Sequence, residues 1–225
     1  DIAHTIYTGW NLEEAQPEPI SSQKETNAAM IHGIEQITGK VKVLKDGKFE
    51  MVNPLEELKV SYPNIGTYSA FIFGHPEAIT FPYHFKDLLN SINLAHGNKS
   101  TIFVLKIMRK LINLKILTKK TAARFLEWLE KKGTSRKYTE TTSLPEIYAL
   151  AIGFKNGKEE CVGVSLDGEP SRELTMGEAT GYPLSLGFKM FLNNEITERG
   201  VIAPESKCID HKKLLMEIYE LFGMK

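Results

Sequence analysis

The sequence predicts an α+β fold in which a mixed, mostly antiparallel sheet is flanked by helices and carries a helical insertion. Three observations lead there. Apolar alternating segments are joined by hairpin-type turns, Asp46-Gly47 and Asn156-Gly157, whose residues tolerate the positive φ such turns need. Helical patterns are segregated along the chain rather than alternating with strands. A long helical pattern, residues 88–133, separates two stretches of strand character.

The elements follow in order. Residues 4–10 read as a short strand, and residues 16–20, with two prolines, as a loop. Ser21 and Ser22 can cap a helix that starts near Glu25 and is ended by Gly39. Residues 40–52 read as a hairpin about Asp46-Gly47. Residues 58–62 and 68–73 read as two strands joined through Pro63-Asn64-Ile65-Gly66, and pairing is expected to resume at 78–81. Ser100 and Thr118 are the expected caps of two helices ending near Leu114 and Lys131, and Ala122, Phe125, Leu126 and Leu129 form an apolar stripe on the second. A polar linker covers 134–143. Strands return at 145–154 and 160–166, followed by a helix from about Thr175 to Asn193, with Glu178 completing a capping box, and a last helix over 210–222. Pro183 predicts a kink or a late start in the first of these two. The expected organisation is a body of residues 1–87 and 144–225 with an insertion at 88–143.

Composition excludes several classes. Lys and Arg number 28 against 28 Asp and Glu in 225 residues, so there is no basic excess for a nucleic-acid scaffold. The basic run between Lys99 and Lys120 reads as the solvated face of a helix pair. Cys161 and Cys208 form no Cys-x-x-Cys pair, which removes zinc-ribbon and thioredoxin-type sites and fits a reducing, cytoplasmic compartment. The six histidines show no metal-ligand spacing, so no metal is expected, and no apolar run is long enough for a membrane span. Asp1 opens the chain without a signal-peptide layout, as if at or inside a strand. Neither Gly-x-Gly-x-x-Gly nor Gly-x-x-x-x-Gly-Lys-Ser/Thr is present, so a complete dinucleotide site is not expected within these residues.

Four local clusters carry candidate chemistry. Gly9-Trp10 offers close backbone approach beside a flat apolar wall; the alternative is a core tryptophan. His32 and Gln36, one helical turn apart, face the same way, and the histidine can carry protons near neutral pH. The plainer reading is a histidine bonded to its i+4 neighbour. Gly74-His75-Pro76-Glu77 is a forced strand exit of the kind where functional groups gather, or simply an exposed terminus. Arg172, ahead of a helix N-terminus, can hold a carboxylate, or be a surface arginine.

Taken in order, several runs resemble saccharopine-dehydrogenase-like enzymes. They are Ala28-Ala29-Met30-Ile31-His32-Gly33-Ile34-Glu35-Gln36, the Lys45-Asp46-Gly47-Lys48 turn, Tyr62-Pro63-Asn64-Ile65-Gly66-Thr67 with Gly74-His75-Pro76-Glu77-Ala78, and Thr197-Glu198-Arg199-Gly200-Val201 after Gly181-Tyr182-Pro183. Residues 88–143 carry no part of the resemblance. It implies a catalytic domain related to the C-terminal domain of glyceraldehyde-3-phosphate dehydrogenase, with a variable helical insertion. NAD or NADP would be bound mainly by a separate N-terminal domain, without which the chain would not turn over. The implied reaction oxidises the C–N bond of an amino acid. His32 and His75 are the candidates for proton handling, and Gly9, Trp10, Gln36, Glu77 and Arg172 for substrate binding. The implied assembly is a homodimer, with no nucleic-acid or membrane partner. Ile65-Gly66 stands where saccharopine reductases carry an Arg-Asp pair, which makes a smaller amino acid such as lysine as good a substrate as saccharopine. The competing readings are a non-catalytic binding or dimerisation module derived from that family, and an unrelated α+β protein, which a sheet of parallel βαβ units would support.

Overall fold

A computed structural model of the chain describes residues 2–12, 28–132, 144–145, 147–165 and 176–222. The described residues up to 165 form one compact unit and those from 176 belong to a second.

In chain order the first unit comprises β1 (Ile2–Asn11), α1 (Ala28–Gln36), β2 (Val41–Lys45), β3 (Lys48–Val52), β4 (Glu57–Tyr62), β5 (Gly66–Phe73), α2 (Glu77–His84), β6 (Asn90–His96), α3 (Lys99–Asn113), α4 (Lys119–Lys132), β7 (Ile147–Lys155) and β8 (Lys158–Ser165). The strands make one mixed sheet in the order β3-β2-β6-β1-β7-β8. β1 and β6 run parallel; the other described pairings are antiparallel. Along its second edge β6 meets β2 at Ser91 and β5 at residues 93–95. The sheet is thus mixed and mostly antiparallel, as the hairpin signals predicted.

Turn chemistry explains the hairpins. Asp46 and Gly47, and again Asn156 and Gly157, all have positive φ, the geometry whose twist matches flanking strands. Asn64 turns β4 into β5 in the same left-handed region, with φ 60°.

The alternation of side chains along β5 and β6 separates two cores. Phe71, Phe73 and Ala95 pack with Ile34, Ile102, Leu105 and Ala122 of the helices. Ile72, Ile92 and Leu94 pack on the opposite face with Val43, Tyr148 and Leu150. Each fully buried aliphatic side chain of this kind contributes about 1.5–3 kcal/mol.

Four expectations are corrected. Residues 78–81 lie in α2, not in a strand. Pro76 precedes that helix with φ −63°, already in helical geometry, and the buried Asn93 side chain accepts from the Ala78 N–H at 3.0 Å. Residues 90–96 form β6 rather than part of the helical pattern expected from residue 88, and the next helix, α3, starts at Lys99. Leu88, Ile92 and Ala95 fit a helical period, as Ile92 and Leu94 fit a strand's, and burial on both faces places polar and apolar side chains alike in the interior. Asn98, not Ser100, caps α3, accepting from the Thr101 N–H at 2.8 Å; Ser100 donates its hydroxyl to that same cap oxygen. Thr118 caps α4 as expected, accepting from the Thr121 N–H at 3.1 Å, but Phe125 of the predicted stripe is exposed and stacks on Trp128.

The second unit contains α5 (Met176–Leu192) and α6 (His211–Phe222). Lys189 pairs with Glu217 at 2.9 Å, and Lys213 with Glu195 at 2.7 Å. Pro183 lies inside α5. No described helix is long and apolar enough to cross a membrane.

Candidate functional site

β5 ends at Phe73 and delivers Gly74 and His75 to the start of α2. The exit is held by the Gly74 N–H, which donates to the Gln36 carbonyl at 2.9 Å. A side chain at Gly74 would reach within 2.5 Å of Val41, so close contact between this exit and β2 requires glycine there.

His75 is the centre of a compact group. Its Nδ1 contacts the Glu77 carboxylate oxygen Oε2. Trp10 packs edge-on against the imidazole at 5.5 Å between ring centres, and against Phe73 at 5.6 Å. His32 of α1 stands 6.0 Å away, ring to ring. Asn93 of β6 donates one amide group to Glu77 Oε2 at 3.3 Å and to Thr8 Oγ1 of β1 at 2.5 Å.

Burial pulls the pKa of the His75 imidazole down to about 4, and His32 beside it acts in the same direction. The Glu77 carboxylate at Nδ1 acts the other way, favouring the charged ring. The ring is therefore neutral near pH 7. A carboxylate can only accept, so Nδ1 carries the hydrogen and Nε2 keeps its lone pair. The neutral imidazole presents a lone pair on Nε2 beside an apolar wall. With its pKa this low the ring is a weak base, and the Glu77 carboxylate facing Nδ1 favours its protonated form.

The predicted site residues divide. Trp10, His32, His75 and Glu77 come together. Glu77, expected to bind substrate, is engaged by His75. Gln36 does not join His32 on a shared polar surface: His32 is exposed while Gln36 is 7% exposed, with its carbonyl tied to Gly74. Gly9 allows close approach of β1 to β6. A Cβ there would lie 1.9 Å from the Leu94 carbonyl oxygen of β6. Arg172 lies outside the described residues. Thr8 and Asn93 were missed. For Asn93 the available signal was a polar side chain inside the apolar run Ile92-Asn93-Leu94-Ala95; Thr8 carried none.

No family model matches the chain, and no curated protein matches it in sequence. The fold has relatives among solved structures. The chain is similar to apo saccharopine dehydrogenase (L-Glu forming) from Saccharomyces cerevisiae, with a TM-score of 0.53 and 12% sequence identity. The match covers 99% of this chain and 66% of that one, just under two thirds of its length. At this identity the likeness establishes a shared fold, in agreement with the architecture expected from the sequence.

A second polar group lies on the other face of the sheet. The Tyr62 hydroxyl contacts His96 Nε2 at 2.7 Å, and His96 Nδ1 donates to the Ser69 carbonyl at 2.7 Å. Burial lowers the His96 pKa and raises that of Tyr62 to about 12, so both are neutral. Tyr148 stands edge-on to Tyr62 at 5.3 Å. The two phenols are close enough to influence each other's ionisation, but the buried Tyr148 hydroxyl has no hydrogen-bond geometry to a partner.

Proposed function

We propose that this chain is the substrate-binding and dimerisation part of an NAD(P)-dependent oxidoreductase that acts on the C–N bond of an amino acid, lysine- or saccharopine-like. The observation that carries this reading is the neutral His75 imidazole, oriented by Glu77 and walled by Trp10. The fold shared with saccharopine dehydrogenase supports it.

An amine substrate arrives protonated and must lose a proton before its C–N bond can be oxidised. His75 Nε2 relays that proton onward to water rather than holding it, since a ring of such low pKa is a weak base, and Glu77, facing Nδ1–H, stabilises the transient imidazolium. The same nitrogen can take a proton from water attacking an imine carbon. Trp10 excludes solvent from one side. The described residues do not fit a dinucleotide. The positive-φ glycines Gly39, Gly47, Gly66, Gly157 and Gly200 lie at helix ends, hairpins and loops, not between a strand and the helix that follows it, where phosphates are cradled. Nucleotide binding is accordingly assigned to a separate domain, and no step of nucleotide chemistry to these residues. Exposed Val162 and Val164 on β8, an edge strand, support a homodimer formed through the sheet; light scattering that shows only monomer at micromolar concentration would count against it.

The test is cofactor reduction by the protein expressed from its complete coding sequence, with lysine and saccharopine and with NAD and NADP in turn. Substrate-dependent reduction is expected. His75→Asn keeps an N–H toward Glu77 but removes the base, and should lower kcat/KM by roughly 10²–10⁴-fold. Unchanged turnover in that variant would refute the assignment of the base. Absence of nucleotide binding would favour the non-catalytic module.

A further inference from the structure

We infer that Asn93 is the positioning residue of this site: by holding Glu77 against His75, it fixes which imidazole nitrogen is protonated. The inference rests on the proton-transfer reading above and deepens it.

Asn93 is 1% exposed, and both ends of its amide are used. Its oxygen accepts from the Ala78 N–H at 3.0 Å, anchoring the first turn of α2, the helix that carries Glu77. Its nitrogen donates to Thr8 Oγ1 at 2.5 Å and to Glu77 Oε2 at 3.3 Å. That Glu77 oxygen is the same one that contacts His75 Nδ1.

The chemistry follows from what each group can do. A side-chain amide presents an acceptor on one side and donors on the other. Asn93's acceptor is committed to a backbone N–H, so its NH₂ must face Glu77 and Thr8. The carboxylate oxygen receiving that hydrogen bond is thereby aimed at Nδ1. Glu77 is partly exposed and, without this tether, free to turn toward water. A free neutral imidazole prefers its hydrogen on Nε2, which would leave no lone pair there for a substrate proton. The hydrogen bond at one ring nitrogen decides the state of the other. Three elements meet in this arrangement: β1 through Thr8, β6 through Asn93 itself, and α2 through Ala78 and Glu77.

The experiment is ¹⁵N NMR of the His75 ring on this protein, which reads the tautomer directly and needs no activity. In the wild type, Nδ1–H should predominate at neutral pH. In Asn93→Asp, which retains an oxygen for Ala78 but puts a carboxylate in place of the donor, the Nε2–H form should gain or the ring's pKa should rise. Glu77→Gln should move the tautomer equilibrium the same way. Thr8→Val, milder because it removes only the outer tether, should shift it part-way and guards against a variant of Asn93 that does not fold. In the full protein, Asn93→Asp should lower kcat by roughly 100-fold with KM little changed, as expected of a misaimed group. A wild-type tautomer and pKa in folded Asn93→Asp, or in both Glu77→Gln and Thr8→Val, would overturn the inference. A wild-type Nδ1–H tautomer that responds to these variants, in a protein inactive on every substrate, would instead overturn the proposed reaction and leave the positioning role standing.

Discussion

Replacing Gly9 by alanine separates a glycine required by the sheet from one that makes room for a ligand. The added Cβ would sit 1.9 Å from the Leu94 carbonyl oxygen and 2.8 Å from the Tyr148 phenol oxygen, where ordinary contact begins at 3.4 Å. The phenol can move, but the carbonyl belongs to β6, which pairs with β1 in register from Thr5↔Asn90 to Asn11↔His96. Relieving the clash requires the two strands to part by about 1.5 Å, against a strand spacing of about 4.8 Å. Two or three ladder hydrogen bonds would be lost at about 1 kcal/mol each, and overpacking adds about 1–3 kcal/mol. The expected destabilisation is about 3–6 kcal/mol, or a fall in Tm of roughly 10–20 °C for a chain of this size. Urea and thermal unfolding followed by circular dichroism read both quantities. Gly33→Ala is the matched control. It lies in α1 with nothing within 4 Å of its added methyl, and should gain about 0.5–1 kcal/mol. A Gly9→Ala protein with wild-type midpoint and slope would refute the packing argument and return Gly9 to the candidates for ligand contact.

The phenols on the opposite face give a paired test. Tyr62→Phe leaves His96 Nε2 without its partner and should cost about 1–2 kcal/mol, whereas Tyr148→Phe removes a buried hydroxyl with no partner and should be neutral or stabilising; equal losses in urea midpoint would contradict the geometry. Acid stability tests His75. Its folded pKa of about 4 lies below the roughly 6.5 of an unfolded histidine, so between these values the unfolded chain binds more protons. Stability should therefore fall as pH is lowered from about 6.5 to about 4 and level off below. The full shift sets a ceiling of about 3 kcal/mol, which partial exposure of the ring and the Glu77 carboxylate reduce to about 1 kcal/mol. In His75→Asn this segment of the pH profile should flatten; an unchanged profile would show that the ring is not held neutral by burial.

Much of the architecture was legible because it is written locally. A hairpin turn needs two consecutive residues that tolerate positive φ, and Asp46-Gly47 and Asn156-Gly157 are such pairs whatever surrounds them. Antiparallel neighbours follow from such turns, so the mostly antiparallel sheet could be read before any contact was known. The cap at Thr118 and the end of the helix before Gly39 are similarly short-range.

Tertiary structure decided what depends on residues far apart in sequence. The run from Asn90 to His96 obeys a helical period as well as a strand's, and only its place between β1 on one side and β2 and β5 on the other makes it a strand. Residues 78–81 became helix because Asn93, fifteen positions beyond Ala78, offers an acceptor to that helix's first turn. The contact of Glu77 with His75 could not be read from the sequence because side-chain direction at a strand exit depends on the helix that follows. The packing demand at Gly9 was invisible in the sequence because the atom an added side chain would meet belongs to Leu94. A sequence specifies its turns and caps through neighbours along the chain, while the acidity, tautomer and aim of a functional group are set by neighbours that only folding brings within a few ångströms.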